Sequence, residues 1–287
     1  MRRLPEWLRR SLPVGSTYET HETLREFRVH TVCESALCPN RAECFSAWTA
    51  TFMILGDVCT RRCGFCAISV GRPNRVEEDE PLRVAQAAQK LGLHHVVVTS
   101  VARDDLHDEG ASVFYETILA IRDLIPEATV EILTPDFHAR RELIEFICDA
   151  QPNVFNHNLE TVERLSPHVR PQARYHRSLD VLRQIKDYDA EIATKSGLML
   201  GLGETLEEVK TALLDLRSVG VDIITIGQYL KSKEGKFEVE AFIHPDVFTD
   251  LEEEGKRMGF SEVYCGPYVR SSYHAGEAYA KYQALGT

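Results

Sequence analysis

Six of the eight cysteines fall within 34 residues, in two sets of three. Cys33, Cys38 and Cys44 are spaced C-x4-C-x5-C; Cys59, Cys63 and Cys66 are spaced C-x3-C-x2-C. Three thiolates on one short segment make a metal site that lacks a fourth protein sulfur. Soft thiolates select zinc, copper(I) or iron–sulfur clusters. A structural zinc site usually pairs one C-x2-C with a second, distant pair, and neither spacing provides it. An iron–sulfur cube on three cysteines leaves one iron open to a substrate or cofactor. One shared six-cysteine zinc cluster is an alternative, but the apolar run between the sets separates them. The start, MRRLPEWLRRSLP, has arginines without an apolar core and is not expected to be a secretory signal. Metal ligation in a reducing compartment therefore explains the cysteines better than a disulfide framework. Cys148, in ELIEFICDA, reads as core packing, and Cys265 is open to either reading.

Other polar residues gather where strands are expected to end. TSVARDDLHDEGA supplies Asp104, Asp105, Asp108 and Glu109, which suit ribose hydroxyls or an ammonium group; a solvated helix start is the bland alternative. FNHN supplies Asn156 and Asn158, suited to polar substrate groups or to capping a helix. KSGLMLGLGET has glycines that let a backbone approach a ligand, but it lacks both G-K-[ST] and G-x-G-x-x-G. Gln228 and Tyr229, in GQYL, are expected at the same mouth. RSSYHAG, near the C-terminus, combines Arg270, Ser271, Ser272 and Tyr273; a docked serine there could give a three-cysteine cluster a hard fourth ligand.

The elements that must position these groups alternate. Apolar strands are predicted at Thr51–Leu55, HHVVVTSV, TVEILTPD, NVFNHN, EIATKSGLML and VDIITIGQYL, with amphipathic helices between them. Stripes such as Leu82, Ala85, Ala88, Leu91 and Leu206, Val209, Leu213, Leu216 mark the helices, and Thr205 and Glu208 form a capping box. Strands buried on both faces and followed by helices make an α/β fold. Six units are too few to close an eight-stranded barrel. The expectation is a partial (β/α)6 TIM-type barrel over residues 51–247. Residues 1–50 form an N-terminal cluster-binding extension, pinned by Trp7, Leu8, Leu12, Tyr18, Leu24 and Phe27. Residues 248–287 form a helix and a docked C-terminal tail closing over the early triad.

The C-x3-C-x2-C loop, with Phe65 before its last cysteine, resembles the radical S-adenosylmethionine enzymes. CESALCPNRAEC, TSVARDDLHDEGA, FNHNLETV, KSGLMLGLGE and RSSYHAG extend the resemblance to the lipoyl synthase family over nearly the whole chain. That resemblance implies a sulfurtransferase with two [4Fe–4S] clusters. One is held by Cys59, Cys63 and Cys66, the other by Cys33, Cys38, Cys44 and a serine, assigned to Ser271 with Ser272 as the rival. Two molecules of S-adenosylmethionine serve each lipoyl group. Their binding is assigned to Phe65, the acidic cluster, Asn156, Asn158, Lys195, Gly197, Met199, Gly201, Glu204, Gln228 and Tyr229. Met199 stands where isoleucine is common. The implied reaction inserts sulfur at carbons 6 and 8 of a protein-bound octanoyl-lysine, with the auxiliary cluster as sulfur source. Implied partners are octanoylated lipoyl-carrier domains (2-oxoacid dehydrogenase E2 subunits, glycine cleavage H protein) and a reducing electron donor, in the cytoplasm. A different radical enzyme would share only the 59–66 loop, and a zinc-binding interaction protein would need neither the glycine-rich stretch nor an oxygen-sensitive chromophore.

The net charge of −11 argues against a general nucleic-acid binder, and no apolar run is long enough to span a membrane. The charge is uneven: residues 1–75 hold 11 arginines, no lysine and seven acidic groups, which is +4. An acidic carrier domain would be steered to this end. Raising salt from about 50 mM to about 300 mM is expected to slow carrier association. A salt-independent on-rate in stopped-flow would leave these arginines as ordinary surface.

Overall fold

The computed structural model describes residues 4–9, 17–46, 50–232 and 235–285; Leu12 lies outside them. In chain order the strands are β1 (His30–Thr31), β2 (Thr51–Ile54), β3 (Val58–Cys59), β4 (Ser69–Val70), β5 (His95–Ser100), β6 (Thr129–Leu133), β7 (Val154–Asn156), β8 (Ala193–Leu200), β9 (Ile223–Gln228) and β10 (Glu262–Gly266). The main sheet runs β1-β2-β5-β6-β7-β8-β9-β10, and β3 pairs with β4 separately. All neighbours in the main sheet are parallel except β1 and β2. The sheet ends at β1 and β10, so the barrel is partial, with a seam between its edges.

All six expected strands are present. A seventh parallel strand, β10, pairs with β9 from Glu262↔Ile223 to Gly266↔Gly227. The helix Pro245–Arg257 runs across position 248 and packs on β10. The chain after 247 is therefore part of the sheet layer as well as a tail. Residues before 51 likewise enter the sheet through β1, whose His30 lies opposite Met53.

Helix faces follow the apolar period, with two corrections. On Glu80–Lys90 the buried residues are Pro81, Val84, Ala85, Ala87 and Ala88, while Leu82 is 48% exposed. Ala85, Ala88 and Leu91 are buried as expected, and only at the N-terminal end do Pro81 and Val84 face inward in place of Leu82. Leu206 is also exposed, as first residue of Leu206–Ser218, whereas Val209, Leu213 and Leu216 are fully buried. Thr205 and Glu208 form the expected capping box: the Glu208 N–H donates to Thr205 Oγ1 at 3.2 Å, and the Thr205 N–H to Glu208 Oε2 at 2.8 Å. Cys148 is core. Cys265 packs against the cluster formed by β8, β9 and the last two sheet helices.

The interior of the sheet holds one ion pair away from water. Lys195 on β8 is 1% exposed, and its Nζ lies 2.9 and 3.0 Å from the two carboxylate oxygens of Glu131 on β6, which is 0% exposed. Asn156 Nδ2 donates to the same carboxylate at 3.1 Å, and His95 Nε2 lies 3.5 Å away. Burial alone would raise the Glu131 pKa, but the Lys195 charge and His95 hold it below the usual range. Removing one partner of such a pair strands a buried charge. Lys195→Met is expected to destabilise the fold by about 3–5 kcal/mol, and a second change, Glu131→Gln, to recover most of that loss. Denaturant melts of the two variants check this; equal losses in single and double variants would mean that Lys195 acts through packing alone.

Candidate active site

The early triad is assembled from two short helices and the tail. Cys33 sits in Val32–Ser35, which Thr31 caps through Oγ1, accepting from the Glu34 N–H at 3.3 Å. A turn returns the Cys38 N–H to the Cys33 carbonyl at 3.1 Å. Cys44 sits in Arg41–Ser46. Three bonds dock the tail here: Asn40 Nδ2 to the Tyr268 carbonyl at 2.7 Å, Thr51 Oγ1 to Ser272 Oγ at 2.8 Å, and Tyr273 OH to Glu43 Oε1 at 2.8 Å. The three cysteines enclose a chamber of about 20 Å³ with Thr51, Arg270 and Ser272 on its wall.

The two candidate serines have different surroundings. Ser272 lines the three-thiol chamber. Ser271 does not, because its Oγ is engaged by the Asn158 amide, 2.6 Å from Nδ2 and 2.9 Å from Oδ1. The two serines are the central residues of a turn closed by the Tyr273 N–H on the Arg270 carbonyl at 3.0 Å, and the turn sends their hydroxyls to different neighbours, Asn158 and Thr51.

The second triad lies at the C-terminal end of the parallel strands. Cys59 ends β3, and its sulfur accepts the N–H groups of Arg61 (3.4 Å) and Ala102 (3.3 Å). Cys66 Sγ accepts the Ile68 N–H at 3.5 Å. The loop is tied to its surroundings through Gly64, whose N–H donates to the Val169 carbonyl at 2.9 Å and whose carbonyl accepts from Lys236 at 2.9 Å. A Cβ on Gly64 would fall 2.0 Å from the Phe237 ring, so this approach needs glycine.

Arg61, between Cys59 and Cys63, is 5% exposed. It grips Asp104 through Nε and a terminal nitrogen at 2.7–3.0 Å, and its other terminal nitrogen reaches Asp136 Oδ1 at 2.7 Å. Arg177 Nε donates to Asp136 Oδ2 at 2.7 Å. Asp104 thus holds the loop in place, and none of the four acids after β5 lines the 390 Å³ cavity between the cysteine sets. Asp105 pairs with Arg103, Asp108 accepts the N–H groups of Gly110 and Ser112 at the start of Ala111–Leu124, and Glu109 Oε2 lies 2.9 Å from His138 Nδ1.

One cavity of about 390 Å³ joins the two sets of cysteines. Cys33 and Cys38 stand on one side and Cys66 on the other, with Phe65, Asn158, Gly197, Met199, Tyr229, Ser271 and Ser272 among its walls. Gly197 is needed there: a Cβ would lie 2.8 Å from Thr225 Oγ1 and 2.9 Å from Asn158 Oδ1. The remaining expected binding residues are engaged elsewhere. Lys195 and Asn156 are bound to Glu131. Gln228 Nε2 donates to the carbonyls of Leu200, Tyr229 and Ala241, each at 3.0 Å, and Gln228 Oε1 accepts the Ile243 N–H. Glu204 accepts the N–H groups of Gly201 and Leu202. They shape the backbone around the cavity.

Glu160 was not anticipated. It lines the cavity with a left-handed φ of 68°, and its peptide bridges β8: its N–H donates to the Gly197 carbonyl at 2.8 Å and its carbonyl accepts from Met199 at 2.9 Å. Burial pushes its carboxyl pKa up, against the lowering pull of Arg170. A half-buried carboxylate facing a cavity suits a cationic ligand. Its signal in the sequence was an acid two residues after Asn158, in FNHNLE.

The thiols themselves test the fit to a metal cluster. Burial pushes Cys33 up to about 11 and Cys44 and Cys63 up to about 12, so loading a cluster onto these three thiols must release protons. Three sulfurs and one hydroxyl at the early site, and three sulfurs at the loop, match iron–sulfur ligation. No histidine lines the chamber to complete a zinc tetrahedron.

Comparison with known proteins agrees with this donor set. The family described as the Radical SAM superfamily matches residues 53–216, and the N-terminal domain of lipoyl synthase of that family matches residues 1–38. A lipoyl synthase of Rubrobacter xylanophilus is 54% identical over 274 residues, covering 95% of this chain and 85% of that protein. One of Alcanivorax borkumensis is 50% identical over 275 residues, with the same coverage. Among solved structures, HydG, a maturase of the [FeFe]-hydrogenase, aligns with a TM-score of 0.59 at 12% identity, covering 93% of this chain and 67% of that one. Methylornithine synthase aligns with a TM-score of 0.55 at 14% identity, covering 84% and 70%. These two likenesses concern the fold.

The Arg61 clamp gives the site a pH signature. Burial would raise the Asp136 pKa, but Arg61, His157 and Arg177 hold it down to about 2. A folded pKa below the unfolded value of about 3.9 gives stability that is full above that value and is lost as pH falls toward 2, roughly 2–3 kcal/mol in all. In cluster-free chain, the stability gap between wild type and Asp136→Asn is expected to shrink as pH drops from about 5 to about 3. A constant gap in urea melts would show that the charge of Asp136 is not what holds the loop.

Proposed function

The chain belongs to the lipoyl synthase family of radical S-adenosylmethionine enzymes, and from that premise we propose how its residues divide the reaction. The enzyme inserts two sulfur atoms at carbons 6 and 8 of an octanoyl group carried on a lysine of a lipoyl-carrier protein, using two [4Fe–4S] clusters and S-adenosylmethionine. When bound, these groups supply a 5′-deoxyadenosyl radical that takes hydrogen from an unactivated C–H bond, and the sulfur that replaces it. No side chain could deprotonate such a carbon, so the residues bind, orient and exclude water.

In this reading Cys59, Cys63 and Cys66 hold the cluster that meets the cofactor, and Arg61 fixes their loop. Cys33, Cys38, Cys44 and Ser272 hold the auxiliary cluster. Glu160 and Asn158 receive the polar, cationic end of S-adenosylmethionine, while Phe65, Met199 and Tyr229 pack its apolar parts. The observation that carries the reading is one cavity with Cys33 and Cys38 of the early set and Cys66 of the loop on its walls. One bound octanoyl chain can then face the radical source on one side and the sulfur source on the other, in near-attack positions.

The carriers we infer are 2-oxoacid dehydrogenase E2 subunits and the glycine cleavage H protein, and a small reducing protein supplies the electrons. Eight free cysteines support a reducing, cytoplasmic setting. No helix among the described residues is long and apolar enough to cross a membrane.

Cys63→Ala is expected to abolish 5′-deoxyadenosine formation while the auxiliary site still loads, leaving about four irons per chain instead of about eight. Cys38→Ala reverses this: cofactor cleavage persists, but no thiolated octanoyl-lysine appears. Ser272→Ala loses sulfur insertion, and Ser271→Ala keeps it. Both products and iron content are measured side by side under anaerobic conditions. Full lipoyl product from the Cys38 variant would overturn the assignment of the early triad.

A further inference from the structure

A second cavity of about 390 Å³ reaches the early triad from the other end of the barrel. Its walls include the turn before β5 with His94, the first residue of β5, His95, and the start of the tail helix Ala275–Leu285. Loops that precede parallel strands lie at the opposite end from those that follow them. The substrate-side cavity is lined by residues that follow β7 and β9, such as Asn158, Glu160 and Leu230, so the two cavities open on opposite ends. Their cysteines differ as well. Cys33 and Cys38 line the substrate-side cavity and Cys44 does not; Cys44 lines the back cavity, and Cys33 and Cys38 do not. Ser272 lines both, and all three cysteines meet in the small chamber between.

Set into an otherwise mostly apolar wall are a few oxygen and nitrogen donors, among them Glu43, His94, His274 and Glu277. Carboxylate and imidazole are the ligands that ferrous iron takes in passing, more weakly than thiolate takes it to stay. Glu43 precedes Cys44 on one helix and bonds Tyr273, so it stands where the cavity meets the chamber. His274 Nδ1 lies 2.6 Å from Glu277 Oε1 at the exposed side. From mouth to chamber the donors run from exposed carboxylate and imidazole to the half-buried sulfur of Cys44.

We propose that this back cavity is the entrance by which ferrous iron and sulfide reach the auxiliary site, separate from the cavity that holds substrate. The inference rests on the reading above, in which each lipoyl group takes its sulfur from that site. A sulfur source that is consumed has to be refilled. Refilling through the substrate side would require cofactor and carrier to leave first, whereas the back cavity leaves them in place.

The test blocks the mouth with His94→Trp/Glu277→Trp in the full chain. In metal-free protein, alkylation of Cys44 by iodoacetamide is expected to slow by about tenfold or more, with Cys33 and Cys38 unchanged, because thiol reaction rates follow access. Uptake of labelled ferrous iron with sulfide into the early triad slows alongside it. A first turnover by variant protein loaded before the experiment stays at the wild-type level. Glu277→Ala, which widens the mouth, gives the opposite sign for Cys44 and guards against misfolding of the double variant. Unchanged Cys44 alkylation, or slowed alkylation with unchanged iron uptake, overturns the proposal. Absence of lipoyl product from loaded wild-type enzyme would count against the function itself, and neither the alkylation nor the uptake measurement depends on it.

Discussion

The structure depends on a sheet that does not close. Seven parallel strands leave β1–β2 and β10 as separate edges, and an open edge exposes unpaired backbone groups. A complete barrel would pair them and fill its interior with side chains. Here the two ends of the chain cover the seam instead. Asn40 binds the Tyr268 carbonyl across 228 residues of sequence, Tyr273 binds Glu43, and Thr51 binds Ser272. The seam is where a cluster site can be built from chain ends while the barrel strands position the other site. The partial barrel and the pair of three-cysteine sites are one constraint seen twice.

The loop of Cys59, Cys63 and Cys66 has little regular structure to hold it, since β3 and β4 are two residues each. Its order comes from buried charge. Arg61 is enclosed by Asp104 and Asp136, and Asp136 is shared with Arg177, so each buried ion has a partner of opposite sign. A network of this kind is a poor source of net stability, because desolvation offsets most of the attraction. It is a good source of specificity: any other loop position would leave at least one of these ions unpaired in a low-dielectric setting.

What could be read in the sequence was whatever depends on short-range spacing. Two cysteine triads, six apolar strands and a capping box are local patterns, and the fold follows from them. Roles that depend on a distant partner could not be read. Lys195 and Asn156 look like ligand donors at the ends of strands, but Glu131, 64 residues from Lys195, engages both inside the sheet. The acids of TSVARDDLHDEGA look like a binding cluster until Arg61 and Arg103 are seen beside them. Gln228 and Glu204 serve backbone groups that a sequence does not reveal as needy. Ser271 and Ser272 are adjacent and chemically identical, so their order is set by which side of the tail faces Thr51.

The two sites also differ in how firmly they can hold what they bind. The radical-loop site is backed by β2, β5 and the ion network, and Cys59 receives two N–H groups that stabilise negative charge on its sulfur. The early site is closed by a hydroxyl and by a tail docked through a few side-chain bonds. Serine oxygen is a harder ligand than thiolate, and soft thiolates retain iron–sulfur clusters better. Tail contacts made by side chains at the end of a chain open at lower cost than strands in the middle of a sheet. A centre that must return unchanged after each turnover belongs in the first setting, and one that must give up sulfur belongs in the second. The proposed division of roles matches this difference between a ligand held by the barrel and a ligand held by the seam.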